Sequence, residues 1–232
     1  MEDRRLLDRR DGALEEQVAR IAAEFLQGFE AVERIGRPGV TIFGSARVDE
    51  DHEAYRLARE TGRLFAEAGF AVVTGGGPGV MEAANRGARE AGGVSAGFNI
   101  DLPQEQRSND YLDIEVTFNH LYARKTMLVK AAEGFVLLPG GFGTLDELFE
   151  ALTLIQTGKV LHFPVVLVGR DHWEGLLEWI GERLLEHGMI SSEDEELLFL
   201  TDDPHEAVRI VSECYEWRCA EVAAEPAKAD AQ

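Results

Sequence analysis

The sequence predicts an α/β fold, a doubly wound parallel sheet with helices on both faces. Three observations predict it. Short β-rich runs alternate with helix-period stretches, the pattern of parallel strands joined by crossover helices. Glycine clusters fall at strand ends: Gly44-Ser45, Gly75-Gly76-Gly77-Pro78-Gly79 and Gly140-Gly141-Phe142-Gly143. The length, 232 residues with 45% hydrophobic and 28% charged, suits one domain with a substantial core, and no linker breaks its middle.

The first pattern is helical. Leu14, Val18, Ile21, Phe25, Phe29 and Val32 recur at steps of three and four and form one apolar stripe. Gly36-Arg37-Pro38-Gly39 stops it. The stripe could pack on the main domain or across a dimer axis. Val40–Phe43 reads as the first strand, and Glu53 to Ala68 as a helix closed by Gly69. Phe70–Thr74 is a second strand. Pro78 to Ala91 is a helix with proline in its first turn. Strands over Val94–Ile100 and Ile114–Phe118 follow, then a helix from about Asn119 to Ala132. Phe135–Leu138 is the most apolar strand and is expected at the centre. Leu145 to Gln156 is a helix, with its start near Thr144. Pro164–Val168 is a strand, Trp173 to His187 a helix, Leu198–Leu200 a last strand and His205 to Arg218 a closing helix. The remainder is rich in Ala, Glu and Asp and reads as a frayed tail.

Composition excludes several classes. A net charge of −20 repels polyanions, so no nucleic-acid partner is expected, although a few local donors can still hold one phosphate. No apolar run approaches the roughly 20 residues of a membrane span, and Met1–Asp11 has no apolar core of a secretory signal. The two cysteines, Cys214 and Cys219, fit neither a zinc pattern nor a disulfide framework, which suits a reduced, cytoplasmic compartment. The six histidines are scattered, with no H-x-x-x-H or H-E-x-x-H, so no metal is expected. G-x-S-x-G and G-x-x-x-x-G-K-[ST] are absent from the sequence.

Three segments can carry chemistry. In Pro139-Gly140-Gly141-Phe142-Gly143-Thr144-Leu145-Asp146-Glu147 an apolar strand runs through glycines into a helix. Glycines let an anion approach the backbone, and the first amides of a helix lack internal acceptors. Thr144 can add a hydroxyl. The letters Thr144-x-x-Glu147 also spell a capping box, in which Glu147 merely bonds back to the backbone of Thr144. Gly75 to Gly79 is a second strand–glycine–helix junction. It misses the dinucleotide fingerprint, because Val80 stands where its last glycine belongs, and it could simply be a tight turn with close helix–sheet packing. The first βα turn, Gly44-Ser45-Ala46-Arg47, lacks the fingerprint as well. Arg124-Lys125 lies on the helix before the most apolar strand. Arg124 could snorkel beside Leu121 and Leu128, or fork onto a phosphate or ribose oxygen.

Together these segments resemble the LOG family, cytokinin-activating phosphoribohydrolases often labelled lysine-decarboxylase-like. The family's P-G-G-x-G-T-x-x-E stands intact at Pro139–Glu147. Its R-K-x-x-M is similar to Arg124-Lys125-Thr126-Met127-Leu128, with Met127 three residues after Arg124. Its glycine-rich turn resembles Gly75 to Met81, and its L-P-x-E loop resembles Leu102-Pro103-Gln104-Glu105. The resemblance spans about Val40 to Val168. It implies a homodimer with a modified Rossmann fold. It implies hydrolysis of AMP, or N6-substituted AMP (a cytokinin nucleotide), to free base and ribose 5-phosphate. By motif position Arg124 and Glu147 would be the catalytic pair. Ser45, Gly76, Gly77, Gly79, Glu105, Lys125, Met127, Gly140, Gly141, Gly143, Thr144 and Thr153 would bind substrate, with neither cofactor nor metal. Glu147, near a helix start and beside Arg124, is expected to be ionised at neutral pH. The chain would divide into a helical extension packed on the domain (1–36), a single nucleotide-binding domain (37–220) and a disordered tail (221–232). The helix from Leu14 to Ile35 and the extension past Leu198 depart from short plant-type members, and Asn99-Ile100-Asp101-Leu102-Pro103 and Asp146 look more like a longer bacterial branch. Two other readings stand beside the hydrolase. One is a non-catalytic carrier of nucleotide or cofactor with the same fold. The other is an interaction scaffold built on the Leu14–Val32 stripe.

Overall fold

The structure, a computed structural model, describes residues 14–101, 107–160, 163–195 and 197–224. Seven strands form one parallel sheet: β1 (Gly39–Phe43), β2 (Ala71–Thr74), β3 (Ser95–Ile100), β4 (Ile114–Phe118), β5 (Phe135–Leu137), β6 (Val165–Val168) and β7 (Leu198–Thr201). Their order is β4-β3-β2-β1-β5-β6-β7. The chain builds outward from β1 on one side, then crosses back to build on the other. That reversal puts a crevice beyond the carboxyl ends of β1 and β5, where ligands of open parallel sheets bind. The middle strand is β1. The expected centre, β5, lies beside it.

Helices cover both faces because the strands are apolar on both. Val40, Ile42, Val72, Val136 and Val166 pack with α2 (Glu53–Glu67), α3 (Val80–Glu90) and α8 (Pro204–Ala224). Phe43, Val73, Phe135, Leu137 and Val165 pack with α1 (Leu14–Ile35), α4 (Leu121–Lys130), α5 (Phe142–Gln156) and α6 (Arg170–Ile180). The two sets alternate along β1, β2, β5 and β6, as the pleat requires. Thr41 sits fully buried among them because its hydroxyl donates to Leu128 O at 2.9 Å.

Several boundaries differ from the sequence reading. Helix α5 starts at Phe142, not near Thr144, and α3 starts at Val80, so Pro78 precedes it. The helix expected from Trp173 to His187 begins at Arg170 and ends in a turn of π-helix, Gly181–Leu185. A short helix, α7 (Ser192–Glu195), had no sequence signal, and α8 continues to Ala224. The tail beyond Ala224 lies outside the described residues.

The stripe on α1 is only partly used. Of its residues Phe25 and Val32 pack half-buried on the core, while Leu14, Val18 and Phe29 stay exposed; the buried residues of α1 are instead Glu24, Gly28, Ala31 and Ile35. The reason is a close approach to α4: a Cβ on Gly28 would lie 2.6 Å from Met127 Cγ. At that point only a glycine fits between the two helices. Among the described residues no helix is long and apolar enough to cross a membrane.

Candidate active site

The three glycine segments meet at the carboxyl edge of the sheet through backbone hydrogen bonds. Ser45 N donates to Pro139 O at 3.0 Å, and Val80 N donates to Ser45 O at 2.9 Å. Gly79 makes this junction possible. Its φ is +70°, and a Cβ there would collide with Ser45 O.

The β2–α3 loop is held from beneath by a buried polar network. Thr74 Oγ1 donates to Asn85 Oδ1 at 2.6 Å, and Gly76 N donates to Thr74 Oγ1 at 2.9 Å. Asn109 Nδ2 reaches Gly76 O, Gly77 O and Asn85 Oδ1 at 3.0–3.1 Å. Asn85 Nδ2 donates to Ser95 Oγ at 2.8 Å. A satisfied buried network of this kind rigidifies its loop. The sequence reading missed Asn85, Asn109 and Thr74. Asn85 could have been noticed, since it interrupts the apolar face Val80-Ala83-Ala84-Ala88 of α3. Asn109 carried no such signal. Gly76, Gly77 and Gly79 are buried, so they form the floor of the crevice rather than an open cradle.

Arg124 comes from α4 and lies across this floor. Its Nε donates to Phe98 O at 2.6 Å, and its Nη2 rests where a Cβ on Gly75 would be. The space that Gly75 leaves is thus filled by the guanidinium. Burial pushes the Arg124 pKa down and the charge of Glu147 opposes this; arginine stays protonated in any case.

Facing it is the start of α5. The N-cap is Gly141, without a side-chain cap bond. The amides of Phe142 and Gly143 therefore lack intrahelical acceptors. Gly141 and Gly143 are exposed, with open space where a Cβ would be, and Phe142 is 91% exposed. Thr144 is buried, with its hydroxyl where a Cβ on Gly140 would be. Gly140 N donates to His172 Nε2 at 3.3 Å, which brings to the rim a histidine that the sequence reading left unassigned.

The capping-box alternative is excluded by this register. With the cap at Gly141, Glu147 falls in the second turn of α5, not at the third helical position. It is 5% exposed, and its Oε2 has no hydrogen-bond partner among the described residues. Its pKa is raised to about 7, first by burial; Glu150 and Asp146 also raise it, while Lys125 and Arg124 lower it. This corrects the expectation of a plainly ionised carboxylate: a group one turn further from the helix start loses its amides and gains two acidic neighbours.

The structure brings Arg124, Glu147, Ser45 and the Gly140–Thr144 loop to one edge. Lys125 lies close enough to Glu147 for their charges to interact, but its ammonium is tied between Asp146 at 2.8 Å and Glu150 at 3.0 Å. Other expected residues stand elsewhere. Met127 is fully buried against Gly28, so it belongs to the α1–α4 seam and not to the crevice. Thr153 lies three turns along α5, about 16 Å from its start at 1.5 Å per residue. Its hydroxyl bonds Phe149 O, and it lines a separate apolar groove with Leu152 and Leu198. Glu105 and its Leu102–Glu105 loop lie outside the described residues. Among the described residues no group of three or more His, Cys, Asp or Glu could hold a metal.

The chain is similar to known proteins. The family described as possible lysine decarboxylase matches residues 81–211. A Mycobacterium tuberculosis protein named cytokinin riboside 5'-monophosphate phosphoribohydrolase is 34% identical over 161 residues, 68% of this chain and 84% of the relative. A protein of the same name from Mycobacterium marinum is 32% identical over 177 residues, 75% of this chain and 93% of the relative. A solved structure of the molybdenum cofactor carrier protein from Chlamydomonas reinhardtii superposes with a TM-score of 0.60 at 26% identity, covering 78% of this chain and 99% of that one. On the family match and the mycobacterial relatives together, this chain belongs to the LOG family.

Proposed function

We propose that the chain hydrolyses the N-glycosidic bond of a nucleoside 5'-monophosphate, AMP or an N6-substituted AMP, to free base and ribose 5-phosphate. The observation that carries this reading is the buried Glu147 Oε2, unpartnered among the described residues, beside Arg124 near the glycine-lined start of α5. In this reading the phosphate sits on the free amides of Phe142 and Gly143, an anion site by helix geometry. Arg124 forks onto phosphate or ribose oxygens. Cleavage of the bond from C1' to the base nitrogen builds positive charge on the ribose. The Glu147 carboxylate stabilises that charge and orients the water that adds to C1'. The water's proton leaves through the same carboxylate, and the departing base takes up a proton. Anchoring the remote phosphate supplies orientation at the reacting carbon, so a nucleoside without phosphate is a poor substrate. We take the working unit to be a homodimer, for which exposed Leu14, Val18, Leu26, Leu121 and Tyr122 offer apolar surface.

A second reading has support in the carrier-protein likeness: a protein that binds its ligand and leaves it intact. Incubation with AMP followed by chromatography for adenine separates the two. The hydrolase releases adenine and ribose 5-phosphate. Its Glu147→Gln variant keeps AMP binding and loses on the order of 10²-fold or more in turnover. Adenine release by that variant at the wild-type rate removes Glu147 from the mechanism. Binding without any release favours the carrier.

A further inference from the structure

The extension helix α1 contributes a carboxylate that the mechanism above does not use. Glu24 is 8% exposed, with four donors around it. Asn119 N donates at 3.2 Å, Asn119 Nδ2 at 2.9 Å and His120 N at 3.1 Å, and His120 Nδ1 lies at 3.0 Å. Asn119 and His120 are the last residues before α4, and the N-cap His120 makes no side-chain cap bond of its own. An acid from another helix thus closes the entry to α4, where a negative charge also meets the positive end of the helix. Burial alone would raise the Glu24 pKa, but the bonds from Asn119 and His120 bring it below its ordinary value, so the group is ionised.

The same helix grips α4 twice more. Gly28 packs on Met127, and the Lys130 ammonium lies 5.4 Å from the centre of the Phe29 ring. Arg124 lies one turn past the Glu24 clamp, about 6 Å along the axis. Its guanidinium is threaded between Phe98 O and the Gly75 backbone, with little room for α4 to shift.

We propose that Glu24 is a positioning residue: through Asn119 and His120 it fixes the start of α4 and thereby the place of the Arg124 guanidinium over the crevice. This deepens the reading above and rests on Arg124 contacting the nucleotide. Such a residue should matter only while Arg124 is present.

A double-mutant cycle on the full chain tests it, with Glu24→Gln, Arg124→Ala and their combination, read by AMP affinity in calorimetry and by kcat/KM for adenine release. Glutamine keeps the shape but offers one acceptor oxygen to the four donors. Glu24→Gln is expected to weaken AMP binding about tenfold while Arg124 is intact, and less than about twofold in the Arg124→Ala background. A purely structural Glu24 would act equally in both backgrounds, and that result overturns the proposal, as does the absence of any effect. If Glu24→Gln does not fold, Asn119→Ala, which removes one exposed donor, takes its place under the same criterion. If the wild type binds AMP and releases no adenine, the hydrolase reading fails while the affinity cycle still decides the role of Glu24. If the wild type binds no AMP, both fall.

Discussion

Glu147→Gln should stabilise the protein above neutral pH. The folded chain holds this carboxyl, 5% exposed and with no partner for Oε2 among the described residues, at a pKa of about 7 against an ordinary value of 4.5. Below pH 4.5 the group is neutral in both the folded and the unfolded chain and contributes no difference. Between 4.5 and about 7 the unfolded chain has released the proton and the folded chain still holds it, so stability falls as pH rises. Above about 7 the folded chain carries a buried charge. At roughly 1.4 kcal/mol per pKa unit the full effect is about 3 kcal/mol. Glutamine has the shape of the protonated acid and never ionises. Urea unfolding should therefore find the two proteins of similar stability near about pH 4.5 and the variant ahead by up to about 3 kcal/mol near about pH 8. For a chain of this length that amounts to a Tm difference on the order of 5–10 °C. A gap that does not change with pH would refute the reasoning, because a lost contact costs the same at every pH. A variant both inactive and more stable would mark Glu147 as a group kept at the expense of stability.

Two further predictions concern the same crevice. If the ionised Glu147 stabilises the developing ribose cation, kcat/KM for AMP should rise with pH through about 7 and then level, since only the deprotonated form acts; a profile that falls through that range would make Glu147 a proton donor instead. Gly79→Ala should cost about 1–3 kcal/mol and weaken nucleotide binding, because alanine at a φ of +70° is strained and its methyl meets Ser45 O; unchanged urea stability and affinity would mean the junction relaxes freely.

Much of this was legible in the residues themselves. The apolar, period-two and period-3.6 runs located every strand and nearly every helix, because the five inner strands are buried on both faces, the edge strand β4 alternates buried and exposed residues, and each long helix carries an apolar side. The loop Pro139–Glu147 declared itself through its glycines, and Arg124 through its place beside a motif. What stayed hidden was position along those elements. Thr144 reads as a cap by its letters, but the bare Gly141 starts the helix three residues earlier, and that register turns Glu147 from a backbone ligand into a buried acid. Met127 and Thr153 look like site residues by motif, yet a helix has several faces and several turns. One of these residues went to the α1–α4 seam and the other to a distant groove. Asn109 has meaning only once Gly76, Gly77 and Asn85 surround it.

The linear chain, then, decided the parallel α/β architecture and where glycine would leave backbone amides bare, because periodicity and the lack of a Cβ are local properties. Folding alone decided that Arg124 fills the space over Gly75, that Glu147 is desolvated beside two other acids, and that Glu24 reaches across 95 residues to close the start of α4. Those are effects of distance and burial between segments far apart in sequence, and only the packed structure sets them.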